Sequence, residues 1–259
     1  MDSRTIVVTG GAEGIGRAAA LLCAARGDRL AILDKNEAAA LAVAQEAQTL
    51  GAADAIALAC DVTDEAQVSS ALAGVRARLG TPWGVFANAG VDIGGLIHEL
   101  PVEQWRRVLD TNLTGVYLTC KHALAQMVEA GTGGSIVCTS SPAGFAAFAA
   151  GAAGAYSASK GGISALVRCL AIDYARRGIR VNAVVPGATE TSLMWNNVDP
   201  GQIPAMRAQL EREIPLGRIA QPDEPARAVL WLLSDDSSYV TGSQLICDGG
   251  ILAKSSISV

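Results

Sequence analysis

Residues 5–34 read TIVVTGGAEGIGRAAALLCAARGDRLAILD. A short run of β-branched residues, Thr5 to Thr9, enters a glycine-rich turn. An Ala- and Leu-rich stretch of helical period follows, and a second apolar run from Arg29 to Leu33 ends on Asp34. Strand, tight turn, helix and strand in that order make a βαβ unit. Glycines at 10, 14 and 16 permit the tight turn, a close approach of backbone to a pyrophosphate, and close packing of helix on strand. The helix start, with Glu13 and Ile15 in the same turn, offers free N–H groups and the positive end of its dipole to an anion. The spacing is GxxxGxG rather than GxGxxG, so the glycines alone are weak evidence; the strand before and the helix after give them weight.

The same alternation continues along the chain. Apolar runs predict strands at 5–9, 29–33, 55–59, 83–87, 135–139, 180–184 and 244–247. Helical periodicity predicts helices at 14–26, 37–50, 64–79, 102–129 (bent or interrupted), 156–177 and 223–233. Pro101 and Pro222 stand where first helical turns begin, each followed by acidic residues. Strands apolar on both faces, separated by helices, belong in a parallel sheet covered on two sides. The expectation is one α/β domain over 1–259, a doubly wound, mainly parallel seven-stranded sheet of Rossmann type with helices on both faces. Residues 187–216 are of mixed character and read as an irregular substrate flap.

Composition narrows the function. The 259 residues are half hydrophobic and carry a net charge of −5. With a mean hydropathy of +0.31, this excludes a disordered chain and argues against nucleic acid as a partner. Residues 130–159 contain no charge, but glycines, serines and Pro142 interrupt them, so they read as a strand and a low-complexity loop (144–155) rather than a membrane span. Asp2 and Arg4 precede an apolar run too short for a secretory signal. Six scattered cysteines without a CxxC pair, and two histidines, suit buried thiols in the reducing cytoplasm and no metal site.

Asp34 selects the nucleotide. It ends the second strand 18 residues beyond Gly16, where a carboxylate accepts hydrogen bonds from both adenosine ribose hydroxyls and repels a 2′-phosphate. Glu13 adds negative charge nearby, while Lys35 and Arg17 oppose it. The expected cofactor is NAD.

Motifs then arrive in one order: Thr9–Gly16, Asp61-Val62, Asn88-Ala89-Gly90, Asn112, Ser141, Tyr156-x-x-x-Lys160, Pro186-Gly187 and Asp248-Gly249-Gly250. With these the chain resembles, over nearly its whole length, the single-domain branch of the short-chain dehydrogenase/reductase family. The resemblance implies an oxidoreductase that transfers hydride between nicotinamide and a secondary alcohol or its ketone. It implies that Asp61 and Val62 meet the adenine, that Asn88, Ala89 and Gly90 line the cofactor, and that Pro186, Gly187, Thr189 and Thr191 meet the nicotinamide end. It implies that Tyr156 is the general acid/base, that Ser141 holds the reacting oxygen, that Lys160 also reaches the nicotinamide ribose, and that Asn112 holds a water linking Lys160 to solvent. A homotetramer is implied as well, through the long middle helices and the last helix and strand.

Tyr156 and Lys160, four apart on a helix, share a face. An ammonium 4 Å from the phenol is worth ~4 kcal/mol at an effective dielectric of 20. That equals roughly three pH units of acidification before desolvation opposes it. Ser141 precedes Tyr156 by 15 residues, longer than the family's usual spacing, and the extra length falls in the loop 145–155. Ser140 adjoins it, but the following Pro142-Ala143-Gly144 selects Ser141. Residues 91–97 supply another cavity wall, and Arg207 in the flap suits an anionic substrate only if it faces inward. Two alternatives are an NADP-dependent ketoacyl-type reductase and a non-catalytic nucleotide sensor; the intact Asn112, Ser141, Tyr156 and Lys160 set speaks against the second.

Overall fold

The computed structural model describes residues 3–148 and 151–254; Ala149 and Ala150 of the predicted loop lie outside the described residues. The predicted strands form as β1 (Thr5–Thr9), β2 (Arg29–Asp34), β3 (Asp54–Ala59), β4 (Gly84–Ala87), β5 (Gly134–Thr139), β6 (Ile179–Pro186) and β7 (Gln244–Cys247). They pair in the order β3-β2-β1-β4-β5-β6-β7, every pair parallel. The sheet is therefore wholly rather than mainly parallel. Its inner strands read as unbroken apolar runs because both faces are covered: all of β1 and β4 is buried.

Successive side chains point to opposite faces, so the sheet has two cores. Val7, Leu33, Val85, Ile136 and Val181 face α3 (Glu65–Leu79), α5 (Gly115–Ala130) and α6 (Gly154–Tyr174). Ile6, Val8, Ile32, Phe86 and Val184 face α1 (Gly14–Ala25), α2 (Glu37–Leu50) and α9 (Asp223–Leu232). Strand order reverses between β1 and β4, which opens a crevice at their carboxyl ends.

Two departures from the sequence expectation matter for the site. The predicted helix over 102–129 is divided into α4 (Val102–Leu109), a π-turn (Asp110–Thr114) and α5. The interruption falls on Asn112 because its side chain bonds outward to backbone. The flap segment, expected to be irregular, contains two helices, α7 (Ser192–Trp195) and α8 (Ile203–Glu213). Neither buries a residue, so neither contributes to the two cores.

Candidate active site

The crevice is built first by the glycine loop. Gly10 adopts φ +60, and a Cβ there would stand 2.8 Å from the Ala89 Cα. A Cβ on Gly16 would stand 2.1 Å from the Gly10 carbonyl oxygen. These contacts weld β1, α1 and the end of β4 together. The Thr9 hydroxyl accepts from the N–H of Asn88 at 3.0 Å and of Ala89 at 3.3 Å, and the Asn88 amide donates to the Gly10 carbonyl at 3.1 Å. Asn88 also accepts from the Thr139 hydroxyl, and Gly90 packs against the Asn112 amide. Thr9 was read only as the start of the loop, so its hydroxyl's part in joining β1 to β4 was missed.

Helix α1 has no side-chain cap: Glu13, at its N-cap position, turns instead to accept from the Ser192 hydroxyl at 2.7 Å. By contrast, Asn36 caps α2 and Asp64 caps α3. An uncapped helix start behind a glycine turn, facing a crevice, fits a pyrophosphate. Ile15 packs partly against the core beneath it.

At the end of β2, one Asp34 carboxylate oxygen accepts from the Ala12 N–H at 3.1 Å and the other from the Asn36 N–H at 2.9 Å. The carboxylate is thus fixed at the mouth of the loop. Arg17 is held by Glu46 on α2 at 2.5 Å rather than by Asp34. Asp61 accepts from the backbone N–H and the hydroxyl of Thr63, and Val62 is buried, its side chain so close to Gly115 that a Cβ there would stand 2.6 Å away.

The four catalytic candidates converge beyond the ends of β4 and β5. Ser141 follows β5, 5% exposed, and accepts from the Ala143 N–H. Ser140 points the other way: it donates to the Lys160 carbonyl and bonds Ser164. Tyr156 and Lys160 lie on α6, with the Lys160 Nζ 5.4 Å from the phenol ring centre. That ammonium is 3% exposed and donates to the Thr139 carbonyl at 2.8 Å, a partner no sequence signal marked. Asn112 is fully buried. Its Oδ1 accepts from the Val91 N–H at 2.8 Å, and its Nδ2 donates to the Val91 carbonyl at 2.9 Å and to Ser159 at 3.2 Å. The side-chain amide pairs with Val91 as a peptide group would. π-turns of this kind concentrate at functional sites.

Burial dominates the protonation states of the pair. Burial pushes the Tyr156 phenol up to about 12; a hydrogen bond with Ser141 draws it down, and the charge of Asp92 raises it further. Burial pushes the Lys160 ammonium down to about 8, opposed by Cys138 and Asp92. At the phenol, burial is the largest influence and outweighs the hydrogen bond with Ser141. The phenol holds its proton, and the ammonium is spent on Thr139.

Pro186 ends β6, and Gly187 lies so close to Asp248 that a Cβ would stand 2.6 Å from its Cα. Thr189 donates to the Gly187 carbonyl, Thr191 to the Thr189 carbonyl, and the Thr191 methyl lies against Gly14. In the flap, Glu190 accepts from both terminal nitrogens of Arg207 at 2.6 and 2.9 Å and from the Trp195 indole at 2.8 Å. Arg207 therefore braces α7 against α8.

Residues 10–252 match the family model described as Enoyl-(Acyl carrier protein) reductase. The sequence is 39% identical over 254 residues to a 2,5-dichloro-2,5-cyclohexadiene-1,4-diol dehydrogenase of Sphingobium indicum, covering 98% of each chain. The chain is a short-chain dehydrogenase/reductase. A cis-4-hydroxycyclohexanecarboxylate dehydrogenase of Sinomonas cyclohexanicum is 42% identical over 252 residues, covering 96% of this chain and 97% of that one. A short-chain type dehydrogenase/reductase from Mycobacterium marinum superposes with a TM-score of 0.91 at 35% identity, covering 97% and 96% of the two chains. This short-chain dehydrogenase/reductase is thus an oxidoreductase of a family that uses nicotinamide dinucleotides. Among the described residues, no helix is long and apolar enough to cross a membrane, and no three His, Cys, Asp or Glu residues cluster as metal ligands.

Proposed function

We propose that this enzyme oxidises a ring-borne secondary alcohol with NAD, Tyr156 acting as the general acid/base. The observation that carries the reading is the convergence of Ser141, Tyr156 and Lys160 beyond the crevice whose far end holds the fixed carboxylate of Asp34. Asp34 receives the adenosine ribose hydroxyls and repels a 2′-phosphate. Gly10, Glu13, Gly14, Ile15 and Gly16 form the pyrophosphate turn; Asp61 and Val62 border the adenine. Asn88, Ala89 and Gly90 line the middle of the cleft. Pro186, Gly187, Thr189 and Thr191 border its nicotinamide end under the flap. Bound there, the nicotinamide accepts or returns the hydride.

Ser141 holds the substrate oxygen in line. Tyr156 takes the hydroxyl proton in oxidation and returns it in reduction. Lys160, which donates to the Thr139 carbonyl here, would hold the nicotinamide ribose, and positive charge beside the phenol would favour its ionised form against the cost of burial. Asn112 fixes Val91, and its π-turn opens backbone for the proton route from Lys160. The ring-borne alcohol follows from the cyclohexadienediol and hydroxycyclohexane substrates in the names of the two relatives. Exposed Tyr117 on α5, Ile172 on α6 and Trp231 on α9, together with Tyr239 and Ile246, support a homotetramer. Six free cysteines, four of them buried, support a cytoplasmic setting.

The test follows reduced-nicotinamide absorbance with NAD or NADP, using cyclohexanol, cyclohexanediols and cis-4-hydroxycyclohexanecarboxylate. NADH should form faster than NADPH, and Tyr156→Phe should lower kcat by about 10²–10⁴ while keeping dinucleotide affinity. Equal or better use of NADP overturns the cofactor assignment. No turnover of any ring alcohol overturns the activity.

A further inference from the structure

We propose that Asp92 sets substrate choice: its carboxylate receives a second, neutral hydroxyl on the substrate alcohol and turns away substrates that carry a carboxylate. The inference deepens the oxidoreductase reading above and rests on it.

Asp92 sits on a wall held from three sides. Its neighbour Val91 is pinned through both backbone groups by Asn112. Its own carbonyl accepts from the Asn197 amide, just past α7, at 2.7 Å. Farther along, the Gly95 N–H donates to the Ala152 carbonyl at 2.7 Å, and Gly95 bridges to Ala153. That bridge ties the wall to the lengthened loop between Ser141 and Tyr156. Ala152 is held at φ +59 to make it, a conformation a non-glycine residue adopts at a cost.

On this fixed backbone the Asp92 side chain is partly buried, and no hydrogen-bond donor among the described residues reaches its carboxylate. Asn112, which pins the adjacent Val91, also donates to Ser159, and Ser159 donates to the Tyr156 carbonyl. The segment of Asp92 is thus tied to the turn of α6 that carries Tyr156, and the Asp92 charge raises both Tyr156 and Lys160. A partly desolvated carboxylate with unmet acceptor capacity invites a donor from the substrate. The flap cation that would welcome a substrate carboxylate, Arg207, is already held by two bonds to Glu190 and lies over the Trp195 ring at 5.1 Å. Leu96, Ile97, Phe145 and Phe148, exposed on the two bridged segments, offer apolar cover for a carbon skeleton. Apolar walls with one unsatisfied acceptor describe a site for a neutral diol.

The experiment compares cyclohexane-1,2-, 1,3- and 1,4-diol with cyclohexanol and cis-4-hydroxycyclohexanecarboxylate in wild type, Asp92→Asn and Asp92→Ala. The wild type should favour at least one diol over cyclohexanol in kcat/KM and should turn over the carboxylate worst. A hydrogen bond to a charged group implies a diol preference of about ten- to a hundredfold, which Asp92→Ala should abolish. Asp92→Asn, nearly isosteric and still an acceptor, should keep part of the diol preference and lose the discrimination against carboxylate. The same preferences are read as dissociation constants, from the fluorescence of protein-bound reduced dinucleotide, which also reports that each variant is folded. A diol preference in binding without any turnover overturns the oxidoreductase reading and leaves the role of Asp92 standing. Turnover with no diol preference, or an equal loss for diol and cyclohexanol in Asp92→Ala, overturns the role of Asp92 and leaves the oxidoreductase.

Discussion

Replacing Lys160 with Met should make the protein inactive and, at neutral pH, more stable. The ammonium is 3% exposed, and burial lowers it from its ordinary 10.5 to about 8. That fall corresponds to about 3 kcal/mol at 1.36 kcal/mol per pH unit, set against the folded state whenever the lysine is charged in both states. The lost bond to Thr139 offsets about 1.5–3 kcal/mol of this, and a buried methionine chain adds packing. The net gain for Lys160→Met at pH 7 should be about 1–2 kcal/mol.

The sign changes with pH. Below about 8 both states of the wild type carry the proton, and the full penalty applies. Between about 8 and 10.5 the unfolded chain binds more protons than the folded one, so wild-type stability rises with pH. Above 10.5 neither state is charged and the penalty is gone. The stability difference between variant and wild type should therefore swing by about 3 kcal/mol across this window, the variant ahead at pH 7 and behind near pH 10.5. Urea unfolding at fixed protein concentration, with dinucleotide absent, measures it at both ends. A difference that is constant with pH, or a wild type that leads at pH 7, refutes the account of Lys160 as a charge held in an apolar site.

Asn112→Ala unpairs both backbone groups of Val91 and should cost about 2–3 kcal/mol in urea unfolding; an unchanged midpoint contradicts the pairing. Asp92→Asn removes a negative charge that raises both Tyr156 and Lys160, so the pH–rate profile of alcohol oxidation should move to lower pH; movement to higher pH contradicts the placement of Asp92. Gly16→Ala drives a methyl to within 2.1 Å of the Gly10 carbonyl and should weaken dinucleotide binding at least about tenfold by fluorescence titration; near-normal affinity contradicts the loop geometry.

The fold was legible because its signals are local. Strands buried on both faces read as unbroken apolar runs, and β1 and β7 have the predicted bounds. The glycines, and the nearness of Ser141 to Tyr156 and Lys160, follow from spacing and element order. What escaped the sequence depends on neighbours far along the chain. The strength of the burial cost at Tyr156 is a property of the whole packing, which the spacing to Lys160 does not carry. Arg207 could not be oriented until Glu190, 17 residues earlier, was seen to hold it. Helices α7 and α8 bury nothing and add to neither core, while Asp92 was only one residue of a wall until its charge was found to act on Tyr156 and Lys160.

Ser192 and Asn197, five residues apart, grip opposite banks of the cleft: one bonds Glu13 in the glycine turn, the other the backbone of Asp92. A single short helix and the turn after it thus bridge the glycine turn and the segment of Asp92. Each of these two bonds joins the segment to one bank, so loss of either should be felt at the other. Steady-state kinetics of a Ser192→Ala enzyme would show that coupling as a joint change in the release of coenzyme and the capture of alcohol.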